Sequence, residues 1–338
     1  MAINASIVGA TGYTGQELID ILLNHPNVRL TGLYSTTDEP KPFGFLVPRF
    51  AKRTELICKK FNSSEVIAKS DVVFLALPHT QAMAAVPGLL KASKFVIDLS
   101  ADYRLRDLKT YEKHYNLKHL DKANIAKAVY GLPELYREKI KNAKLIANPG
   151  CYPTCAILAL APFLAASSVE LDSLIIDAKS GTSGAGKKAV QESLFSEVDE
   201  DFRAYKVNTH QHIPEIEQEL SKLSGEKIGV TFVPHLLPLK RGILETIYLK
   251  TNKKLTTEDA LALYRKFYKN EPFVRIKEDG FPSIKDVNHT NFCDIGIKVF
   301  GKDIIIIAAI DNLLKGASGQ AVQNLNIMMD YPETSGLL

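Results

Sequence analysis

At 338 residues, with 46% apolar and 24% charged side chains and a formal charge of +4, the chain reads as a soluble globular protein long enough for two domains. The small charge and scattered lysines leave no nucleic-acid footprint, and no apolar run is long enough to span a bilayer. Cys58, Cys151, Cys155 and Cys293 are too few for a disulfide framework and lack zinc spacing; with no signal peptide at the start, a reducing cytoplasm is the expected compartment.

Ile3 to Val8 reads as a buried strand running into Gly9-Ala-Thr11-Gly12-Tyr13-Thr14-Gly15, and Gln16 to Leu23 reads as an amphipathic helix. Strand, glycine-rich turn and helix in that order make a phosphate cradle for a dinucleotide, here with the spacing GxxGxxG. The next strand, Arg29 to Tyr34, ends in Ser35-Thr36-Thr37, with Asp38 only later and Lys41 nearby. Hydroxyls and a lysine suit a 2′-phosphate better than a bare ribose, so the expected cofactor is NADP(H). Asp71 to Leu77 is apolar enough for a strand buried on both faces, ending at Pro78-His79, where ligands gather at the carboxyl edge of such sheets. Phe95 runs as a strand into a polar turn closed by Arg104, readable as a phosphate or carboxylate contact or as a surface arginine. Tyr111 to Lys127 reads as surface helix and loop. Alternating strands and helices over 1–150 predict an open, mostly parallel sheet.

Leu145 to Ala147 reads as the end of a buried strand, broken by Asn148-Pro-Gly150, after which Thr154 to Ala161 forms an apolar helix with Pro153 in its first turn. Cys151 therefore heads a helix N-terminus, where unpaired amides favour an anion and a thiol ionises more readily. That is how a nucleophile is presented; the plainer reading, a space-filling cysteine, suits Cys155 one turn further on. Beyond it, strands are expected at 174–179, 228–233, 242–249, 292–300 and 304–310, with helices near 188–195, 214–223 and 257–268. Clustered strands with fewer helices predict a mixed α+β domain whose sheet is largely antiparallel. Leu313 to Met329 reads as one long helix in which Gly316 and Gly319 let something pack close.

Gly181-Thr-Ser183-Gly184-Ala-Gly186-Lys187-Lys188 nearly spells a nucleotide triphosphatase loop, but Lys188 stands where that motif needs serine or threonine for magnesium. A glycine-rich loop with Ser180 and Ser183 still offers N–H groups to a phosphate. His210-Gln-His212-Ile-Pro-Glu215 places two imidazoles two residues apart before a helix. The pair is a weak metal signal and a stronger acid–base one, with Glu215 able to orient a ring.

Together these motifs resemble the N-acetyl-gamma-glutamyl-phosphate reductase family of the semialdehyde dehydrogenase type. The resemblance also rests on Asp98-Leu-Ser-Ala-Asp-Tyr-Arg104, Pro234-His-Leu-Leu-Pro-Leu-Lys240-Arg241-Gly242 and Asp311-Asn312-Leu-Leu-Lys-Gly316-Ala-Ser-Gly-Gln320. Gln211 stands where the family often has arginine, and Ser35-Thr36 lacks an arginine often found there. The resemblance implies a Rossmann-type NADP-binding domain over 1–150, joined by a C-terminal helix at 312–338, and a mixed α+β catalytic and oligomerisation domain over 151–311. It implies that Cys151 attacks an acyl phosphate, N-acetylglutamyl phosphate, releasing inorganic phosphate, and that a thioester is reduced to the aldehyde with His210 or His212 as acid and base. By the same resemblance, Ser180, Gly181, Asn312 and Gly316 join the Gly9–Gly15 turn, Ser35, Thr36 and Pro78 around the cofactor. Arg104, Asn148, Ser183, Gly184, Glu215, Lys240 and Arg241 are then candidate substrate contacts. No metal is implied, and the assembly is expected to be a homodimer or homotetramer. Competing readings are a reductase of carrier-protein-bound aminoadipyl phosphate in a lysine pathway and a non-catalytic NADP-binding redox sensor; aspartate-semialdehyde dehydrogenase shares the logic but frames its cysteine differently.

Overall fold

The computed structural model describes every residue except Met1, Thr37, Asp38, Lys188, Ala189, Val190, Glu192 and Ser193, so the Thr37–Asp38 part of the cofactor expectation and most of the helix expected at 188–195 lie outside the described residues. The chain divides into two compact units, residues 1–149 with 317–338, and residues 150–316.

The first unit is built on β1 (Ile3–Val8), β2 (Val28–Ser35), β3 (Lys41–Pro42), β4 (Ile57–Lys60), β5 (Val72–Leu75), β6 (Phe95–Asp98), β7 (Val129–Tyr130) and β8 (Leu145–Ala147). They lie in the order β3-β4-β2-β1-β5-β6-β8-β7, parallel throughout except for β3 on β4. β5 is Val72, Val73, Phe74 and Leu75, and all four residues are buried, as a strand covered on both faces requires. Val8, Val73, Leu75 and Val96 pack with Met83, Val86 and Leu89 of the Ala82–Lys91 helix. The chain builds one side of the sheet from β1 to β4 and the other from β5 onward, so the order reverses beside β1. Ligands bind at the carboxyl ends of strands at such a reversal.

The second unit is built on β9 (Ile175–Gly181), β10 (Arg203–Ala204), β11 (Thr231–Leu237), β12 (Ile243–Lys250), β13 (Val274–Ile276), β14 (Cys293–Phe300) and β15 (Asp303–Ile310), in the order β10-β11-β9-β12-β15-β14-β13. The β9–β12, β12–β15, β14–β15 and β10–β11 pairs are antiparallel, and β9–β11 and β13–β14 are parallel. β12 alternates cleanly, with Ile243, Glu245, Ile247 and Leu249 buried on one face. The Cys151–Ala165 helix is buried from Tyr152 to Leu164, the state of a helix that is apolar all round. Pro162 inside it has no N–H for the Leu158 carbonyl, and the Tyr268 hydroxyl donates to that carbonyl instead at 2.6 Å. Tyr264 donates likewise to Ala159.

Two expected elements differ. The strand expected at 228–233 runs instead over Thr231–Leu237, through Pro234; beyond β9 its other neighbour is only the two-residue β10, so one missing donor is tolerated. The long helix expected from Leu313 is a π-turn at Leu314–Ser318 followed by a ten-residue α-helix, Gly319–Met328. Residues of low helix propensity, Gly316, Ser318 and Gly319, sit at the change, and the Gly316 amide reaches back five residues to the Asp311 carbonyl at 2.9 Å.

Candidate active site

In the first unit, Gly9 leaves β1 at φ +95°, and a Cβ there would fall 2.1 Å from the Ala76 carbonyl oxygen. A Cβ on Gly15 would fall 2.2 Å from the Gly9 carbonyl oxygen. Only glycine allows this turn to close while the Gly9 and Ala10 amides both donate to the Tyr34 carbonyl at 2.8 and 2.9 Å. Gly12 caps the Tyr13–Leu23 helix without a side-chain hydrogen bond, so the first-turn amides face outward from the end of β1. A dinucleotide pyrophosphate suits that cradle, because the helix end favours negative charge. The turn is braced by Gln16 Nε2 donating to the Thr11 carbonyl and by Ser318 Oγ donating to the Thr14 carbonyl, each at 2.9 Å. Tyr13 and Thr36 are exposed, whereas Ser35 is buried and its Oγ accepts from the Cys58 thiol at 3.4 Å.

Pro78 is exposed beyond β5, and His79 Nδ1 accepts from the Ala101 amide at 3.1 Å. Behind that edge Asp102, fully buried, accepts from the amides of Thr80 (2.6 Å) and Met83 (3.1 Å) and from the Tyr111 hydroxyl (3.0 Å). Asp98, also fully buried, accepts from the Ser100 amide and hydroxyl; burial first, then the charge of Asp102, push its carboxyl up to about 7. Arg104 is not on the surface. It is 4% exposed, with Nε donating to the Asn148 carbonyl and Nη2 to the Leu99 carbonyl, both at 2.8 Å.

Asn148, a candidate substrate contact, directly follows β8. It is fully buried, its Oδ1 accepts from Asn324 Nδ2 at 3.1 Å and its Nδ2 donates to the Ala317 carbonyl at 3.1 Å, so both ends of the amide tie β8 to the C-terminal segment.

In the second unit, Cys151 is the first residue of its helix and the one cysteine of four that is partly exposed. The helix start is set by Glu215, which is 2% exposed and accepts from the Gly150 amide at 2.8 Å. Gly316 lies against Cys151, since a Cβ on it would fall 2.8 Å from the Cys151 Cβ. His210 and His212 are 5% and 8% exposed, with ring centroids 4.8 Å apart. His210 Nδ1 accepts from the His212 amide at 3.1 Å, which puts the proton of the neutral ring on Nε2. Tyr152, next to Cys151, packs edge-on against both rings at 5.4 and 5.9 Å and shares a 3.0 Å hydrogen bond with the Tyr205 hydroxyl. Burial pushes the Tyr205 hydroxyl up to about 12 and raises Tyr152 further, so both stay protonated beside the sulfur. These tyrosines were not singled out from sequence; an aromatic residue immediately after the cysteine was the available signal. Burial also raises Cys155 and its neighbour Glu245 well above their usual ranges, which keeps both neutral in the core.

In the glycine-rich loop after β9 several amides are bonded within the unit. The amides of Gly181, Thr182 and Ser183 donate to the carbonyls of Gly242, Leu239 and Lys240, and that of Gly186 to Ser183, so those N–H groups are turned inward. Ser180 is 3% exposed and donates to the Gly181 carbonyl. Gly184 lies next to it, a Cβ there falling 3.4 Å from Ser180 Oγ. Asn312 bridges two loops, accepting from the Gly242 amide at 2.8 Å and donating to Ser183 Oγ at 3.0 Å. Lys240 is exposed, whereas Arg241 is held by the buried Asp311, with Nε 3.0 Å from Oδ2 and Nη2 donating to Oδ1 at 3.1 Å.

Residues 4–143 match the semialdehyde dehydrogenase NAD binding domain, and residues 151–312 match the semialdehyde dehydrogenase dimerisation domain. The N-acetyl-gamma-glutamyl-phosphate reductase of Pelotomaculum thermopropionicum is 49% identical over 100% of this chain and 98% of its own length; that of Citrifermentans bemidjiense is 51% identical over 99% and 98%. Among solved structures, aspartate semialdehyde dehydrogenase II of Vibrio cholerae, complexed with ASA, superposes with a TM-score of 0.71 at 17% identity, covering 98% of this chain and 99% of that one. The Candida albicans enzyme with NADP gives 0.73 at 16% identity, covering 97% and 99%. At that identity the structures share the fold.

Proposed function

This chain belongs to the N-acetyl-gamma-glutamyl-phosphate reductase family, and on that premise we propose that it reduces N-acetyl-gamma-glutamyl phosphate to N-acetylglutamate 5-semialdehyde in arginine biosynthesis, with Cys151 as nucleophile and NADPH as reductant. The observation that carries the reading is the partly exposed Cys151 thiol at the head of a buried helix, beside two buried imidazoles' aromatic cluster. The carrier-bound and sensor alternatives draw no support from relatives that carry the acetylglutamyl name over their full length.

The Cys151 thiolate attacks the acyl carbon, the bond to the phosphate oxygen breaks, and inorganic phosphate leaves a thioester on Cys151. First-turn amides of the helix favour the oxygen's developing charge. A nicotinamide cofactor, held through the Gly9–Gly15 turn, supplies a hydride to the carbonyl carbon when bound. His210, with its proton on Nε2, donates a hydrogen bond to the resulting alkoxide, which collapses to the aldehyde and the Cys151 thiolate as the C–S bond breaks. Ser35-Thr36 with Lys41, and no acidic residue closing β2, support NADP over NAD. The exposed cross-strand pair Ile175 and Tyr248 on β9 and β12 supports self-association through the second sheet as a homodimer or homotetramer. The test is phosphate-dependent oxidation of N-acetylglutamate semialdehyde, followed by absorbance with NADP and then NAD. Turnover with free substrate and a higher kcat/KM for NADP are expected; negligible turnover, or a tenfold preference for NAD, would overturn the substrate or the cofactor assignment respectively.

A further inference from the structure

Arg241 and Asp311 form a nearly dry ion pair that the chemistry above does not use. Their side chains are 12% and 0% exposed. The Asp311 carboxylate gathers three chain segments. Oδ1 accepts from the amides of Leu313 (2.8 Å) and Leu314 (3.1 Å) as well as from Arg241, and Oδ2 accepts from the His289 amide at 2.7 Å. Its own carbonyl accepts the Gly316 amide that closes the π-turn. Arg241 sits in the 239–242 segment, onto which the Gly181–Ser183 loop is already laced, and Asn312 joins the same two loops from the other side. The turn ends with Gly316 backed onto the Cβ of Cys151.

We propose that the Arg241–Asp311 pair positions the nucleophile: by fixing the π-turn it seats Gly316 behind Cys151 and so sets the direction in which the sulfur points. The inference rests on Cys151 being the nucleophile. It also replaces the substrate contact expected for Arg241 with an internal one. A planar guanidinium against a carboxylate suits such a brace, because it fixes orientation as well as distance, which an ammonium does not.

Two full-length variants test it from opposite ends. Arg241→Lys keeps the charge and loses the planar guanidinium with its Nη2 donor; Gly316→Ala leaves the pair alone and pushes a methyl group at the Cys151 Cβ. For each, kcat, KM for the acyl phosphate, and the iodoacetamide alkylation rate of Cys151 are measured on folded protein. Both variants should lose kcat and alkylation rate together, by about 10-fold to 100-fold, with KM within about threefold of wild type, as expected for a displaced nucleophile. If Arg241→Lys does not fold, Asp311→Asn, which keeps an acceptor for the Leu313 and Leu314 amides, takes its place. A raised KM with wild-type kcat and alkylation would make Arg241 a substrate contact, and wild-type values of all three would make the pair purely structural; either overturns the proposal. Failure of the nucleophile reading shows separately, as wild-type enzyme that stays active after Cys151 is alkylated.

Discussion

Glu215→Ala removes the acceptor that holds the Gly150 amide one residue before Cys151, the proposed nucleophile. The carboxylate is 2% exposed and lies 2.8 Å from that nitrogen, so the truncation leaves a buried N–H without its partner. An orphaned buried donor costs about 1–3 kcal/mol. Glu215→Gln keeps an oxygen in place and should cost about 1 kcal/mol or less, the difference between a charge-assisted and an ordinary hydrogen bond. The same movement at the helix start displaces the sulfur, and a shift of about 1 Å at a reacting atom costs on the order of 100-fold in rate. Thermal melts and steady-state kinetics on both variants read the two effects. The expected order is wild type, Gln, then Ala, in midpoint and in kcat alike. An Ala variant with wild-type midpoint and kcat would show that the bond fixes neither the helix start nor the nucleophile.

Gly9→Ala should abolish cofactor binding, because a Cβ at φ +95° meets the Ala76 carbonyl oxygen at 2.1 Å; nicotinamide fluorescence titration checks this, and binding at wild-type affinity would contradict the cradle. Asp98 has a native value of about 7 against an unfolded value near 3.9, so the stability it contributes is whole below about pH 4 and is lost as pH rises through 7. Asp98→Asn lacks that titration, and its stability relative to wild type should rise between pH 5 and 8 by about 3 kcal/mol. Urea midpoints across that range read it; parallel pH profiles would refute it. Tyr268→Phe strips the donor from the Leu158 carbonyl that Pro162 cannot serve, and should cost about 1–3 kcal/mol in the same assay with kcat unchanged; an unchanged midpoint would count against that role.

The parallel sheet, the glycine turn and the apolar cysteine helix were legible because each is local: a run of Val, Ile and Leu, a GxxGxxG spacing, and a Pro-Gly break before an apolar stretch. The short strands β3, β7, β10 and β13 span two or three residues, too few for any period to show. What the sequence concealed is long-range pairing. Asn148 reads as a polar residue near Cys151, and the sequence does not show its partner Asn324, 176 positions on. Gly181 to Gly186 reads as a phosphate loop, and only the structure shows the Gly181, Thr182 and Ser183 amides bonded to the 239–242 segment. Arg241 reads as a cation awaiting an anion, yet its carboxylate lies 70 residues ahead in Asp311. The strand expected at 228–233 instead continues through Pro234 to Leu237, where the weak pairing on its outer side lowers the cost of a missing donor.

The central claim, an acyl group carried on one sulfur, is tested most directly by mixing the enzyme with N-acetyl-gamma-glutamyl phosphate in the absence of reduced cofactor, quenching in acid and mapping the peptides by mass spectrometry. The N-acetylglutamyl adduct should appear on the Cys151 peptide and vanish in Cys151→Ala. Phosphate release at the wild-type rate with no adduct, or an adduct on another residue, would contradict it.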